Sequence, residues 1–121
     1  MRWPLCKAYA VAVGTQNVPS VLTGTPEPVA AHLKVSGFAG AGNITVTIQH
    51  SPDDESVNDA TATWYTLITF TVASGNTNEL KNSTINTPRF GRVRVNVVAT
   101  GTAAGNIDVV AEGELNWTGS K

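Results

Sequence analysis

The chain has 121 residues and a mass of 12.7 kDa, enough for one domain spanning residues 1–121 and no second core. Eight Lys and Arg against nine Asp and Glu leave a net charge of −1, so there is no basic excess to neutralise phosphates and no nucleic-acid partner is expected. Sixteen Thr, 15 Val, 14 Ala and 10 Asn, punctuated by 11 Gly and 6 Pro, argue against a helical bundle, a coiled coil, a membrane-spanning protein or a disordered tail.

Along the chain, Arg2 and Lys7 precede an apolar run, residues 8–13, that is shorter than a signal-peptide core. Synthesis in the cytoplasm without export by the usual route is expected. Cys6 has no second cysteine to pair with and is expected to be a small buried residue. Tyr9, Val11 and Val13 alternate with Ala8, Ala10 and Ala12 in an opening strand, which ends in the polar stretch 14–17. Residues 18–22 form a short extended piece at an edge, because Pro19 cannot donate to a ladder. Residues 23–28 are a loop. Residues 31–38 alternate Leu33 and Val35 against His32 and Lys34. A Gly-rich turn at 40–43 leads into the clearest strand, where Ile44, Val46 and Ile48 face in and Thr45, Thr47 and Gln49 face out.

A long acidic loop, 51–62, then precedes a strand over 63–72. Its alternation places Trp64, Ile68, Phe70 and Val72 on the core face and Tyr65 on the other. A turn at 74–78 and a weakly patterned stretch at 79–87, a short strand with a loop, follow. Residues 89–99 set Val93, Val95 and Val97 opposite Arg92, Arg94 and Asn96, with a bulge expected at Gly91. A turn at 100–106 opens a last strand in which Ile107, Val109, Ala111, Leu115 and Trp117 share a parity. The fold class that follows is all-β, a single antiparallel β-sandwich of seven or eight strands, jelly-roll or immunoglobulin-like.

Little in the chain carries chemistry. His32 and His50 lie in separate strands with no ligand-spaced neighbour. There is no nucleophile elbow, phosphate loop or paired-histidine zinc motif. Asp53, Asp54 and Glu55 with Asp59 lack the alternating ligands and central glycine of a calcium loop, so a solvated acidic loop is expected. No catalytic, cofactor or metal residues are assigned, and an enzyme is not expected. Three Asn-x-Ser/Thr sequons, at Asn43, Asn82 and Asn116, are close to the number chance would give. What remains are contact candidates. Residues 1–7, with Arg2, Trp3 and Pro4, are a candidate N-terminal contact arm, and Asp53, Asp54 and Glu55 of the acidic loop and the outward Tyr65 are further partner-binding candidates. Arg92 and Arg94 make a basic stripe on an outer sheet face, either solvated or paired with the acidic loop of a neighbouring copy or with an acidic patch on a scaffold.

The stretch 42–50 running into Ser51-Pro52-Asp53, followed by Thr63-Trp64-Tyr65-Thr66-Leu67, resembles small β-sandwich proteins of tailed bacteriophages. In these a strand ends in a Ser-Pro-Asp turn and the next opens with Thr-Trp. Residues 88–95, Pro-Arg-Phe-Gly-Arg-Val-Arg-Val, are similar to their penultimate strand. The likeness covers about residues 33–115, and the acidic loop is longer here than the family's short Asp-Gly turn. It implies a capsid decoration (cement) protein, made in the host cytoplasm and carried on the capsid surface of the virion. Its implied partner is the assembled major capsid protein, bound as a trimer or dimer, with no membrane partner. The alternatives are a carbohydrate-binding module, which would present Trp and Tyr to sugar rings, or a tail or neck component.

Overall fold

The computed structural model describes residues 2–22, 29–53, 56–73, 78–85 and 92–113, with side chains over 5–20, 31–53, 56–73 and 92–110. Nine strands occur among them: Arg2–Val11 (β1), Gly14–Asn17 (β2), Val21–Leu22 (β3), Val29–Ala39 (β4), Asn43–Ser51 (β5), Tyr65–Ala73 (β6), Asn78–Ile85 (β7), Arg92–Ala99 (β8) and Ala104–Gly113 (β9). They form two antiparallel sheets, one ordered β1-β9-β4-β7 and the other β2-β8-β5-β6, with the short β3 also on β8. Every connection crosses between the sheets except β2–β3 and the β5–β6 pair. That order is a jelly roll, and it decides between the two sandwiches the alternation allowed.

The core lies between the sheets because the strongest alternations pair in phase. Leu33 stands opposite Val109 and Val35 opposite Ile107 in one sheet; Val46 stands opposite Val97 and Ile48 opposite Val95 in the other. All eight are buried, as are Ile44, Phe70 and Val72. β-Branched side chains suit such positions, since their stiff χ1 packs well on a pleated surface. Each contributes on the order of 1.5–3 kcal/mol through burial.

Three expectations shift. The stretch 14–17 is a strand, β2, hydrogen-bonded to β8; as an edge strand with both faces mostly wet, it needs no apolar alternation. Val13 is exposed, because the chain leaves one sheet after Val11 to reach the other. β1 itself is irregular, with register shifts on both sides of Cys6, a left-handed Ala8, and both Leu5 and Cys6 buried. Of the weakly patterned stretch 79–87, residues 79–85 belong to the expected strand, β7, at the far edge of the first sheet, and 86–87 lie outside the described residues. Gly91, Leu115 and Trp117 lie outside the described residues, as does the loop 23–28.

The turn at 40–43 is present and is built from backbone. Thr100 N donates to Asn43 O and Thr102 N to Ala41 O, while the Thr100 and Thr102 hydroxyls accept from Asn43 N and Ala41 N, all within 2.8–3.0 Å. A Cβ on Gly40 would sit 2.1 Å from the Thr102 carbonyl oxygen, and Gly40 has φ of 84°. Only glycine fits there.

Candidate functional site

The other end of β5 carries the one dense side-chain cluster of the described surface, and a bulge creates it. β5 and β6 pair Ile48 with Ile68 but Gln49 with Thr66, so Leu67 is the extra residue. The bulge inverts the faces of everything before it. Thr66 joins the outward row with Gln49, His50 pairs with Tyr65, and Trp64 emerges on the outer face. Trp64 is therefore not a core residue: it is partly buried and lies against arginines. The expected shared face of Trp64, Ile68, Phe70 and Val72 holds only from Ile68 onward.

On that outer face Arg92 and Arg94 follow each other along β8. The Arg94 guanidinium lies over the Trp64 ring, 4.2 Å from its centroid, and that of Arg92 lies 5.5 Å away. Arg94 Nε donates to Gln49 Oε1 at 2.8 Å. Arg92 Nη2 pairs with Asp59 Oδ1 at 2.6 Å, and Arg92 Nε donates to Ser20 Oγ at 3.3 Å. Ser20 in turn donates from Oγ and N to the two Asp59 oxygens, at 2.6 and 2.9 Å. Trp64 Nε1 donates to the Asp59 carbonyl at 3.0 Å, closing the loop 56–64 over the sheet.

Electrostatics follow from this packing. Burial disfavours the Asp59 carboxylate, but the Ser20 hydrogen bonds and the Arg92 guanidinium outweigh it and hold the carboxyl below its usual range. Burial also lowers the Arg94 guanidinium from its ordinary value, with Asp59 opposing and Arg92 adding to the effect. Elsewhere, burial pushes the Cys6 thiol up to about 11, so it is an inert buried residue.

The sequence candidates fall as follows. Arg92 is not solvated: it is 5% exposed, and its acidic partner comes from its own loop, not from a neighbouring copy. Arg94 shares the cluster. Tyr65 is 52% exposed, but the bulge sets it on the side of buried His50, edge-on to that ring, and not on the outer face that the alternation assigned. Asp53 is tied down locally, accepting from Thr63 N, while its own N donates to Ser51 Oγ. Asp54 and Glu55 lie outside the described residues. The backbone of Arg2, Trp3 and Pro4 belongs to β1, paired with Glu112, Ala111 and Val110 of β9; their side chains lie outside the description. With Leu5 buried, removing residues 1–5 would take part of a sheet and of the core, contrary to the expectation of a separable arm. Sequence reasoning missed Ser20 and Gln49, and had Asp59 only as part of an acidic loop that is solvated or faces a neighbouring copy. Of the two missed, only Gln49 had a signal, its outward parity on a strand next to the arginines. No group of three or more His, Cys, Asp or Glu side chains is placed to hold a metal among the described residues.

Around the cluster the described side chains of this outer face are uncharged. Thr45 and Thr47 of β5 stand opposite Thr71 and Thr69 of β6, and Asn96 of β8 donates to Asn17 of β2 at 2.7 Å.

No protein-family model matches the chain, and no curated protein matches it. Solved structures do. One of infectious bursal disease virus, Gx strain, aligns with a TM-score of 0.55 at 14% identity over 96% of this chain. The VP2 subviral particle of the same virus gives 0.51 at 15% over 93%. A carbohydrate-binding module of Cellvibrio mixtus lichenase 5A, in complex with cellotriose, gives 0.51 at 12%, covering 86% of this chain and 75% of the module. The chain spans about a third of each virus chain, 33% and 32%. At such identities the likeness is one of fold: this protein is a β-sandwich of the kind found in viral capsid proteins and carbohydrate-binding modules alike.

Proposed function

We propose that the protein is a virion structural protein, a capsid decoration (cement) protein that binds the assembled major capsid protein on the virion surface and stabilises the head. The observation that carries this reading is the state of Trp64. A sugar platform needs a bare aromatic face, whereas this ring is covered by the Arg94 guanidinium, and Tyr65 is the only exposed aromatic among the described side chains. A broad outer face of hydroxyls and amides beside a fixed cation suits contact with another protein better than stacking on a sugar ring. The jelly-roll likeness to viral capsid proteins and the resemblance to phage sandwich proteins agree with it.

The mechanism is association and needs no catalysis, cofactor or metal. A dimer or trimer at a capsid symmetry position bridges subunits that separate on heating. Because it binds only the assembled state, it stabilises that state by mass action, by about 2.7 kcal/mol per site at a hundredfold excess over Kd.

The test is sedimentation of purified protein with expanded capsids lacking it, alongside tails and a glycan array. Saturable binding to capsids supports the proposal. Binding to tails alone assigns a tail or neck role. Specific glycan binding without capsid binding replaces the proposal with the carbohydrate-binding reading, which the likeness to the cellotriose complex favours.

A further inference from the structure

Arg92 and Arg94 are two residues apart on one strand and one face, yet they are used differently. Arg92 is buried and spends donors on Asp59 and Ser20. Arg94 uses only its Nε, on Gln49; its two Nη groups have no acceptor among the described residues. Its plane is nevertheless fixed. Gln49 holds one edge and Trp64 supports one face, while Trp64 is itself held by Asp59, which Ser20 and Arg92 hold in turn. A side chain that ordinarily loses much rotamer freedom on binding has already lost it here.

Asp59 pairs directly with Arg92, and no carboxylate among the described residues pairs with Arg94. The described residues of the surrounding outer face, Thr45, Thr47, Thr66, Thr69, Thr71 and Asn96, offer hydroxyls and an amide and no anion. A guanidinium held at Nε by Gln49 and set over the Trp64 ring, with no Nη acceptor among the described residues, keeps the two donors with which a carboxylate pairs bidentately. A lone fork without a basic series does not follow a polyphosphate backbone.

We propose that Arg94 is the receptor for a partner carboxylate, an Asp or Glu side chain on the assembled capsid protein, docked on the outer face of β5, β6 and β8. This rests on the decoration reading for the identity of the partner, while the carboxylate chemistry rests on Arg94 alone.

Two experiments separate these. In the first, wild-type protein, Arg94→Gln and Arg94→Lys are sedimented with capsids, and their melting temperatures are recorded. Arg94→Gln is expected to weaken binding about tenfold or more. Arg94→Lys keeps the charge but loses the fork, and is expected to weaken it about threefold or more even if Arg94→Gln folds poorly. Wild-type-like binding by folded Arg94→Lys and Arg94→Gln overturns the docking site. In the second, N-acetylglutamate methylamide is titrated into the free protein, with the glutamine analogue as control. The Trp64 indole N–H resonance, assigned with Trp64→Phe, should move with the glutamate compound only, and should not move in Arg94→Gln. Absence of that shift in the wild type overturns the carboxylate receptor. A shift without any capsid binding keeps the receptor and overturns the decoration reading.

Discussion

The two ends of the five-stranded sheet are closed in different ways. At the Asn43 end, the β4–β5 and β8–β9 turns are joined through backbone amides, carbonyls and two threonine hydroxyls, and glycines let the chains approach. At the Ser51 end, closure is made by side chains: Asp59, Arg92, Ser20 and Trp64 tie a loop down over the sheet. The first arrangement satisfies the amides and carbonyls of its turns internally. The second holds a charged group, Arg94, that its own fold does not consume. Function is sought at the end locked by side chains for that reason.

Of the contacts that close the two ends, the largest expected effect lies at the backbone-locked end. Gly40→Val adds a Cβ onto the Thr102 carbonyl oxygen at a positive φ and should cost about 2–5 kcal/mol, read from denaturant unfolding. Gly37 sharpens the point. It also has a positive φ, 65°, but nothing lies within 4 Å of a Cβ there, so Gly37→Ala should cost only about 1–2 kcal/mol. Equal losses for the two variants would remove the close approach from the account.

At the side-chain-locked end, Asp59→Asn takes the Asp59 carboxylate away from buried Arg92. The expected cost is about 2–3 kcal/mol, below the range for a fully buried pair because the Asp59 side chain is 32% exposed. Its pH dependence has a definite sign. The folded-state carboxyl is held below its unfolded value of about 4, so its stabilisation is present above that pH and is lost as pH falls through the folded value. Wild-type and variant melting temperatures should differ at neutral pH and converge in acid. A constant difference down to pH 2 would mean that the carboxylate charge is not what stabilises the loop.

Trp64→Ala should cost less, about 1–2 kcal/mol, because it removes stacking on two guanidinium groups and one hydrogen bond, not a piece of the core. Phe70→Ala, at a buried position of the same strand, should cost about 3–5 kcal/mol. Thermal melts that rank them the other way would return Trp64 to the core.

These residues also mark where sequence reasoning succeeds. Ile44, Val46 and Ile48, or Val93, Val95 and Val97, announce their buried face because alternation is uninterrupted and the opposite row is polar. The bulge at Leu67 leaves no such trace. Leu67 and Ile68 are both apolar, so the alternation from Phe70 reads straight through to Trp64 and places it on the wrong side. β2 and β7 are edge strands of polar residues, in which periodicity is weak because only one neighbour and part of one face need be satisfied. The Asp59–Arg92 pair joins positions 33 apart, and no spacing rule reaches that far. That Arg92 and Arg94 share an outer face was legible in the valine alternation; that a loop covers one and leaves the other open was not.

The central claim is that a partner docks at the Trp64–Arg94 end and not at the glycine end. Cys6 is buried with a raised pKa, so a new surface cysteine can be labelled selectively. Thr66→Cys and Ala41→Cys, both at exposed positions, would each carry a bulky maleimide and be sedimented with capsids. The account predicts that the label at 66 abolishes binding while the label at 41 leaves it unchanged. Full binding with the label at 66, or its loss only with the label at 41, would contradict it.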